Sequence, residues 1–190
     1  MSAKVERILR ETGAVMEGHF LLTSGRHSPT YLEKFQVLQY PRHTDALCRM
    51  IAQHFKEWEI QVVAGPTMGG IILAFEVARH LRARAIYAER EGEGRAFRRG
   101  LTLLPRERVL VVDDVLTTGG SVREVMTAVR EMGGEVVGVG VLVDRAQGEM
   151  DLGVPLHSCH RLSIPTYAPG ECPLCQAGLP ILKPGSSSPR

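Results

Sequence analysis

The sequence predicts an α/β fold around a parallel sheet, and three observations carry the prediction. Residues 60–66 (IQVVAGP), 108–112 (RVLVV) and 135–145 (EVVGVGVLVDR) are short, almost wholly apolar runs. Such runs suit strands covered on both faces, as in parallel sheets, better than the alternating pattern of a half-exposed strand. Segments with apolar residues at helical spacing stand between them, so strand and helix alternate. Finally, 190 residues with 44% hydrophobic content are enough to bury one sizeable core.

The elements follow in chain order. Val5, Ile8, Leu9 and Thr12 form a short helical stripe that stops at Gly13. Residues 18–40 read as irregular strand, broken by the turn signal SGRHSP at 24–29. Leu47, Met50, Ile51, His54 and Phe55 keep helical spacing, which predicts a helix over 44–57, and the 60–66 strand follows. Ile71, Ala74, Val77, Ala78 and Leu81 give the next helix, and residues 84–89 (RAIYAE) the next strand. Residues 90–100 (REGEGRAFRRG) are polar, charged and glycine-rich, so they read as a loop or hairpin tip. After the strand at 108–112, Val122, Val125, Met126, Val129 and Met132 define a helix closed by Gly133 and Gly134. The last 35 or so residues hold much of the proline and end in PGSSSPR, a composition expected to fray.

Bulk properties remove several classes of function. A formal charge of +2 with nearly balanced acids and bases lacks the basic excess of a nucleic-acid footprint. No stretch reaches the roughly 18 apolar residues that span a bilayer. The start, MSAKVERILRETG, has no apolar signal-peptide core, so a cytoplasmic location with reduced cysteines is expected.

The chemistry concentrates at 109–121, VLVVDDVLTTGGS. In open α/β sheets ligands bind beyond the carboxyl ends of strands, and here such an end carries Asp113 and Asp114. Two adjacent acids at the edge of a core repel each other and lose hydration, so a structural role does not account for them. The small loop that follows leads into a helix. Its N–H groups can cradle a phosphate while Thr117, Thr118 and Ser121 add hydroxyl donors. No Walker loop is present. The carboxylates suit a vicinal diol or a hydrated Mg²⁺, and phosphate, diol and metal together describe a phosphorylated ribose.

This stretch resembles the phosphoribosyl-pyrophosphate (PRPP) motif of type I phosphoribosyltransferases. Within that class, FLLTSGRHSPTYLEK (20–34), GPTMGG (65–70) and VDR (143–145) resemble segments of the orotate phosphoribosyltransferases. The resemblance implies a single domain over 1–190, with a mostly parallel sheet flanked by helices in a core of about 42–146. It adds a small hood from 15–40 and about 155–185, and a fraying tail at 184–190. The implied activity is transfer of the phosphoribosyl group from PRPP to orotate. Asp113 and Asp114 would be catalytic, orienting the ribose. The loop Val115, Leu116, Thr117, Thr118, Gly119, Gly120 and Ser121 would hold the 5′-phosphate, with Arg90 and Gly69 on the pyrophosphate side. Arg145 would clamp the orotate carboxylate in bidentate fashion, helped by Thr117, Tyr31, Leu32 and Arg26. Mg²⁺ is implied mainly through PRPP, with Asp113 and Asp114 reaching it by way of water. A homodimer is implied as well, in which the 90–100 loop completes the neighbouring site.

Three departures from that pattern stand out. The family's loop lysine and histidine are absent, leaving Arg95, Arg98 and Arg99 as the charges of the flexible loop; Gly69 and Thr23 replace two other lysines. A phosphoribosyltransferase for another base, or a non-catalytic PRPP-binding regulator, therefore stand as rival readings. Separately, Cys172-Pro-Leu-Cys175 has His157, Cys159 and His160 upstream, and four such ligands could make a structural Zn²⁺ site. One CxxC with an irregular second pair is a weak signal, and a loop packed near the hood explains it more simply. Of the histidines, His27 inside SGRHSP is the one expected near a substrate, whereas His54 belongs to an apolar stripe.

Overall fold

The computed structural model describes residues 2–184; the part of the tail expected to fray beyond Pro184 lies outside the described residues. Helix α1 (Ser2–Glu11) leads into a hairpin of β1 (Val15–Leu21) and β2 (His27–Leu32), then the short α2 (Phe35–Leu38). Helix α3 (Pro41–Phe55) starts three residues earlier than the apolar spacing predicts, because Pro41 is preset for a first helical turn and needs no N–H partner there. There follow β3 (Val62–Pro66), α4 (Gly69–Leu81), β4 (Arg84–Glu91), β5 (Gly94–Phe97), β6 (Arg108–Leu116), α5 (Gly120–Glu131) and β7 (Glu135–Asp144). The described chain closes with β8 (Leu156–Arg161) and the single-turn α6 (Pro173–Gln176).

Six strands form the central sheet in the order β5-β4-β3-β6-β7-β8. All pairings are parallel except β4 with β5. Successive residues of the inner strands belong to different cores, as the uninterrupted apolar runs require. Val63, Leu110, Val112 and Leu142 join the cluster beneath α1, α3 and α4. Val62, Ala64, Val109, Val111, Val139 and Val141 join the cluster beneath α5.

Two elements stand at the edges of the sheet. First, the charged segment 90–100, read from the sequence as a loop or hairpin tip, is the tip and return strand of a β-hairpin, with Arg90 opposite Arg95 and Glu91 opposite Gly94. Its charges compensate one another, which is how a polar segment can be ordered: Arg98 pairs with Glu91, and Arg99 with Glu89 at 2.6 Å. Second, β8 pairs with β7 at the edge of the central sheet, Val143 opposite His160. The C-terminal share of the hood therefore begins after Arg161 rather than near 155.

The hood itself is the β1–β2 hairpin with the C-terminal segment laid across it. His27 and Tyr167 exchange backbone hydrogen bonds, each 2.9 Å. The Leu182 N–H donates to the His19 carbonyl at 2.7 Å and its carbonyl accepts from the Leu21 N–H at 2.8 Å. Among the described residues no helix is long and apolar enough to cross a membrane.

Candidate active site

The chain runs outward from β3 to β4 and then crosses to β6 on the other side of β3, so the loops after β3 and β6 diverge. The crevice they leave is the expected ligand position of an open α/β sheet. It holds a cleft of about 1280 Å³ between the sheet and the hood. Asp113, Asp114, Val115, Thr117, Thr118 and Ser121 line its floor. Gly69 lines one side, Arg145 another, and Arg26, Tyr31 and Leu32 the hood side. The paired acids, Thr117, Thr118, Ser121 and Arg145 are thus in one place, whereas Leu116, Gly119, Gly120, Arg90, Arg98 and Arg99 are not in the lining.

Strand β6 runs past the four apolar residues to Leu116, so both acids lie within its buried end rather than in a turn. Asp113 is 6% and Asp114 3% exposed. Asp113 Oδ1 accepts a hydrogen bond from the Asp114 N–H at 2.8 Å. Burial, reinforced by the adjacent Asp114 carboxylate, pushes the Asp113 carboxyl up to about 7. Asp114 is also raised by burial, against the pull of Lys34.

Lys34 is the residue that sequence reasoning passed over. Its Nζ stands 2.9 Å from Asp114 Oδ2 and donates a hydrogen bond to Oδ1 at 3.1 Å. Partial burial works to lower the Lys34 pKa, but Asp114 overcomes this and the pKa is raised. The sequence hint was its position at the end of the 20–34 stretch, and pairing with an acid 80 residues away left no periodic trace.

The loop after β6 brings Thr117, Thr118 and Ser121 to the cleft. Helix α5 starts at Gly120, and Gly119 before it has φ +79, a left-handed conformation that glycine adopts freely. The first N–H groups of a helix lack intrahelical partners, and the start of α5 lies at the cleft, which Thr118 and Ser121 line. Leu116 is fully buried at the strand end, so its contribution is to anchor the loop. Opposite, a Cβ on Gly69 would stand 2.0 Å from Asp114 Oδ2. Any side chain there displaces the carboxylate, which is why the lysine of the family pattern has no room in this chain.

Strand β7 delivers Arg145. Its N–H donates to the Leu116 carbonyl at 2.8 Å, which sets it beside the 117–121 loop. Its Nε is buried without a hydrogen-bond partner. Burial lowers its pKa, partly offset by Tyr31. A desolvated guanidinium with an unused donor is costly unless an anion arrives. Arg26 also lines the cleft, but it is engaged: Nε donates to Thr166 Oγ1 at 2.9 Å and Nη2 to the Thr166 carbonyl at 2.7 Å, tying the hairpin to the C-terminal segment.

The loop arginines separate. Arg95 reaches the cleft, donating to Thr67 Oγ1 at 3.2 Å and to Glu124 Oε2 at 3.1 Å. Arg90 turns to Glu124 at 3.0 Å and stands outside the lining, as do Arg98 and Arg99. The upstream residues offered as zinc ligands go elsewhere too. His157 stacks on His54 with ring centroids 4.0 Å apart, and Cys159 Sγ contacts the Leu47 carbonyl at 3.6 Å. His27 faces His19 within the hood, not the cleft.

Sheet order, crevice and phosphate loop together define a phosphoribosyltransferase, and a family model described as a phosphoribosyl transferase domain matches residues 35–153. An orotate phosphoribosyltransferase of Caldanaerobacter subterraneus is 52% identical over 183 residues, 96% of each chain. The chain belongs to the orotate phosphoribosyltransferase family. The solved orotate phosphoribosyltransferase of Aeropyrum pernix superposes with a TM-score of 0.70 at 30% identity, over 83% of this chain and 93% of that one. An adenine phosphoribosyltransferase from Rhodothermus marinus shares the fold, with a TM-score of 0.64 at 23% identity over 85% of this chain and all of that one. One architecture thus serves different bases, and the choice of base has to be sought in the residues around it.

Proposed function

We propose that this chain transfers the 5-phosphoribosyl group of PRPP to orotate, giving orotidine 5′-monophosphate and pyrophosphate in de novo pyrimidine synthesis. The observation that carries the choice of base is Arg145, part-buried in the cleft with an Nε that nothing satisfies. Orotate bears a carboxylate beside its reacting ring nitrogen, and a guanidinium can hold it through two parallel hydrogen bonds. Tyr31 and Leu32 supply the hood-side wall, and Thr117 lines the same cleft. A purine offers no carboxylate and would leave the arginine unpaired.

The ring nitrogen displaces pyrophosphate at C1 of the ribose through a transition state with oxocarbenium character. The protein positions both partners, excludes water and places negative charge near C1. Asp113 and Asp114 accept from the ribose hydroxyls, and the 117–121 loop anchors the 5′-phosphate. The same two carboxylates fit Mg²⁺: Asp114 Oδ2 is buried with only the Lys34 ammonium beside it. They would hold the ion through water, and when bound it neutralises the leaving pyrophosphate. Arg95 supplies positive charge on the pyrophosphate side in place of the family's lysine.

A homodimer belongs to this reading. Met68, Ile72 and Phe75 follow helical spacing along α4 and are 69%, 40% and 65% exposed, an apolar stripe suited to a second copy. Arg98 and Arg99, outside their own cleft, are then the charges offered to the neighbouring site. A cytoplasmic setting agrees with four unbridged cysteines.

The test is to supply PRPP and Mg²⁺ with orotate, adenine, hypoxanthine or uracil in turn and follow pyrophosphate release. Release with orotate alone is expected. Release with another base would replace the acceptor, and tight PRPP binding without any turnover would make the chain a regulator. Arg145→Ala should raise the orotate KM by about 30-fold or more, the scale of about 2 kcal/mol for a charge-assisted pair, and leave the PRPP KM within about 3-fold. Equal weakening of both substrates would remove the assigned role.

A further inference from the structure

The CxxC segment has a second pair of ligands, and they are not the ones nearest in sequence. His19 on β1, His27 at the start of β2, and Cys172 and Cys175 at the start of α6 converge in the hood, away from the cleft. One ligand atom from each lies within 4.8 Å of all the others. His19 Nε2 is 2.9 Å from His27 Nδ1, 3.5 Å from Cys172 Sγ and 3.7 Å from Cys175 Sγ, while Cys175 Sγ is 3.3 Å from His27 Nδ1. A tetrahedral Zn²⁺ with Zn–N of about 2.05 Å and Zn–S of about 2.3 Å sets N···N at about 3.3 Å and N···S at about 3.6 Å. The sulfur–nitrogen spacings bracket that value. The imidazole pair is closer than a zinc site holds it, by the amount that separates a shared hydrogen bond from shared metal ligation.

We propose that His19, His27, Cys172 and Cys175 bind one structural Zn²⁺ that pins the C-terminal segment to the hairpin roofing the base site. Four further features support it. The Nδ1–H of His19 donates to the Leu179 carbonyl at 2.8 Å, which fixes the tautomer and turns the Nε2 lone pair into the cluster. His19 and His27 are 2% and 4% exposed and Cys172 1%, so three of the four ligands are screened from water. Two thiolates and two neutral imidazoles balance the ion's charge, so the buried site carries no net charge. Lastly, the backbone stitches at Tyr167 and Leu182 flank the cluster in sequence and bring the two segments together without it. Metal binding would release the two thiol protons to solvent and involves no redox step.

The experiment uses untagged full-length protein purified without chelator, with metal content measured by inductively coupled plasma mass spectrometry. About one zinc per chain is expected, falling below about a tenth of an equivalent in Cys172→Ser and Cys175→Ser. Cys48→Ser, at a buried cysteine outside the cluster, should keep its zinc. Replacement by Co²⁺ should give the d–d bands of a tetrahedral site together with thiolate-to-cobalt charge transfer, both missing in the two hood variants. Folded wild-type protein that holds no zinc and gives no cobalt spectrum would overturn the proposal. So would a Cys172–Cys175 disulfide in freshly purified protein, or a metal retained when both cysteines are replaced. Because the first measurement is made on the unaltered chain, it decides the matter even if the variants do not fold, and it is independent of which base the enzyme uses.

Discussion

Replacing Asp113 by asparagine should stabilise the ligand-free protein while abolishing its chemistry, and the gain should depend on pH in a defined direction. The carboxyl stands at about 7, against an ordinary value of 3.8, because it is buried beside a second acid. Between those values the folded protein retains a proton that the unfolded chain has lost. Stability therefore falls as pH rises through the window, and the loss is complete above about pH 7. A rise of about three pH units corresponds to about 4 kcal/mol. Asparagine cannot ionise, and its Oδ1 can still accept the Asp114 N–H that Asp113 accepts at 2.8 Å. Since Asp114 feels the same relief, part of the difference is shared, and about 2–4 kcal/mol is expected at pH 8. For a chain of this size that is roughly 5–15 °C in Tm. Thermal unfolding of wild type and Asp113→Asn, followed by circular dichroism from pH 4 to pH 8 without PRPP or Mg²⁺, measures it. The two Tm curves should meet near pH 4, separate up to about pH 7 and run parallel from there to pH 8. A constant gap, or a variant less stable than wild type at pH 8, would refute the electrostatic account of the pair.

Gly69→Ala should raise the PRPP KM by about 10-fold or more with a small change in Tm, because the new methyl falls 2.0 Å from Asp114 Oδ2 and forces the carboxylate off Lys34; steady-state kinetics against PRPP reads this. Arg95→Ala should lower kcat/KM for PRPP by about 10–100-fold, the loss of one charge-assisted contact, whereas Arg98→Ala should fall less unless the protein is assayed as a dimer. Mixing Arg98→Ala with an Asp113→Asn partner chain then reports whether the hairpin serves its neighbour. Glu107 is 7% exposed and accepts from Arg84 Nη2 at 2.7 Å and the Leu104 N–H at 2.7 Å. Burial opposes its ionisation, but these two donors overcome it and hold the pKa below the usual range. Glu107→Gln should therefore cost about 1–2 kcal/mol at neutral pH. In urea titrations the cost should shrink as pH falls through the lowered pKa, where wild type loses the same contacts.

How legible each part was in the sequence follows from the range of the interaction that creates it. The strand–acid–loop segment 109–121 was readable because all of its chemistry is local: apolar strand, paired acids and helix start are consecutive. Arg145 reaches the same cleft because β7 lies next to β6 and the two end level, Leu116 opposite Asp144. Strand β8 was not legible. LHSCHR has one large apolar residue, and it sits at the sheet edge, where only one neighbour dictates its pattern. The 94–97 strand was hidden by its charges, which are neutralised by partners that the pattern does not show. Lys34 and the two hood histidines share that difficulty, since a side chain held by a contact 80 or 150 positions away has no spacing to reveal it. The search for zinc ligands near the CxxC chose His157, Cys159 and His160 by proximity in the chain, and the edge strand β8 directs them into other contacts.

The hood has a consequence for the making of the molecule. Its hairpin is complete within the first 32 residues, yet the groups that hold it lie at 166–182. During synthesis the phosphate loop and both strands of the crevice leave the ribosome, and can pair, while the hairpin still lacks its strap. Closing a loop of about 150 residues costs only slightly more than closing a short one, but it has to wait for the chain. The floor of the crevice can therefore form before the hairpin acquires the contacts with Thr166, Tyr167 and Leu182 that hold it over the cleft.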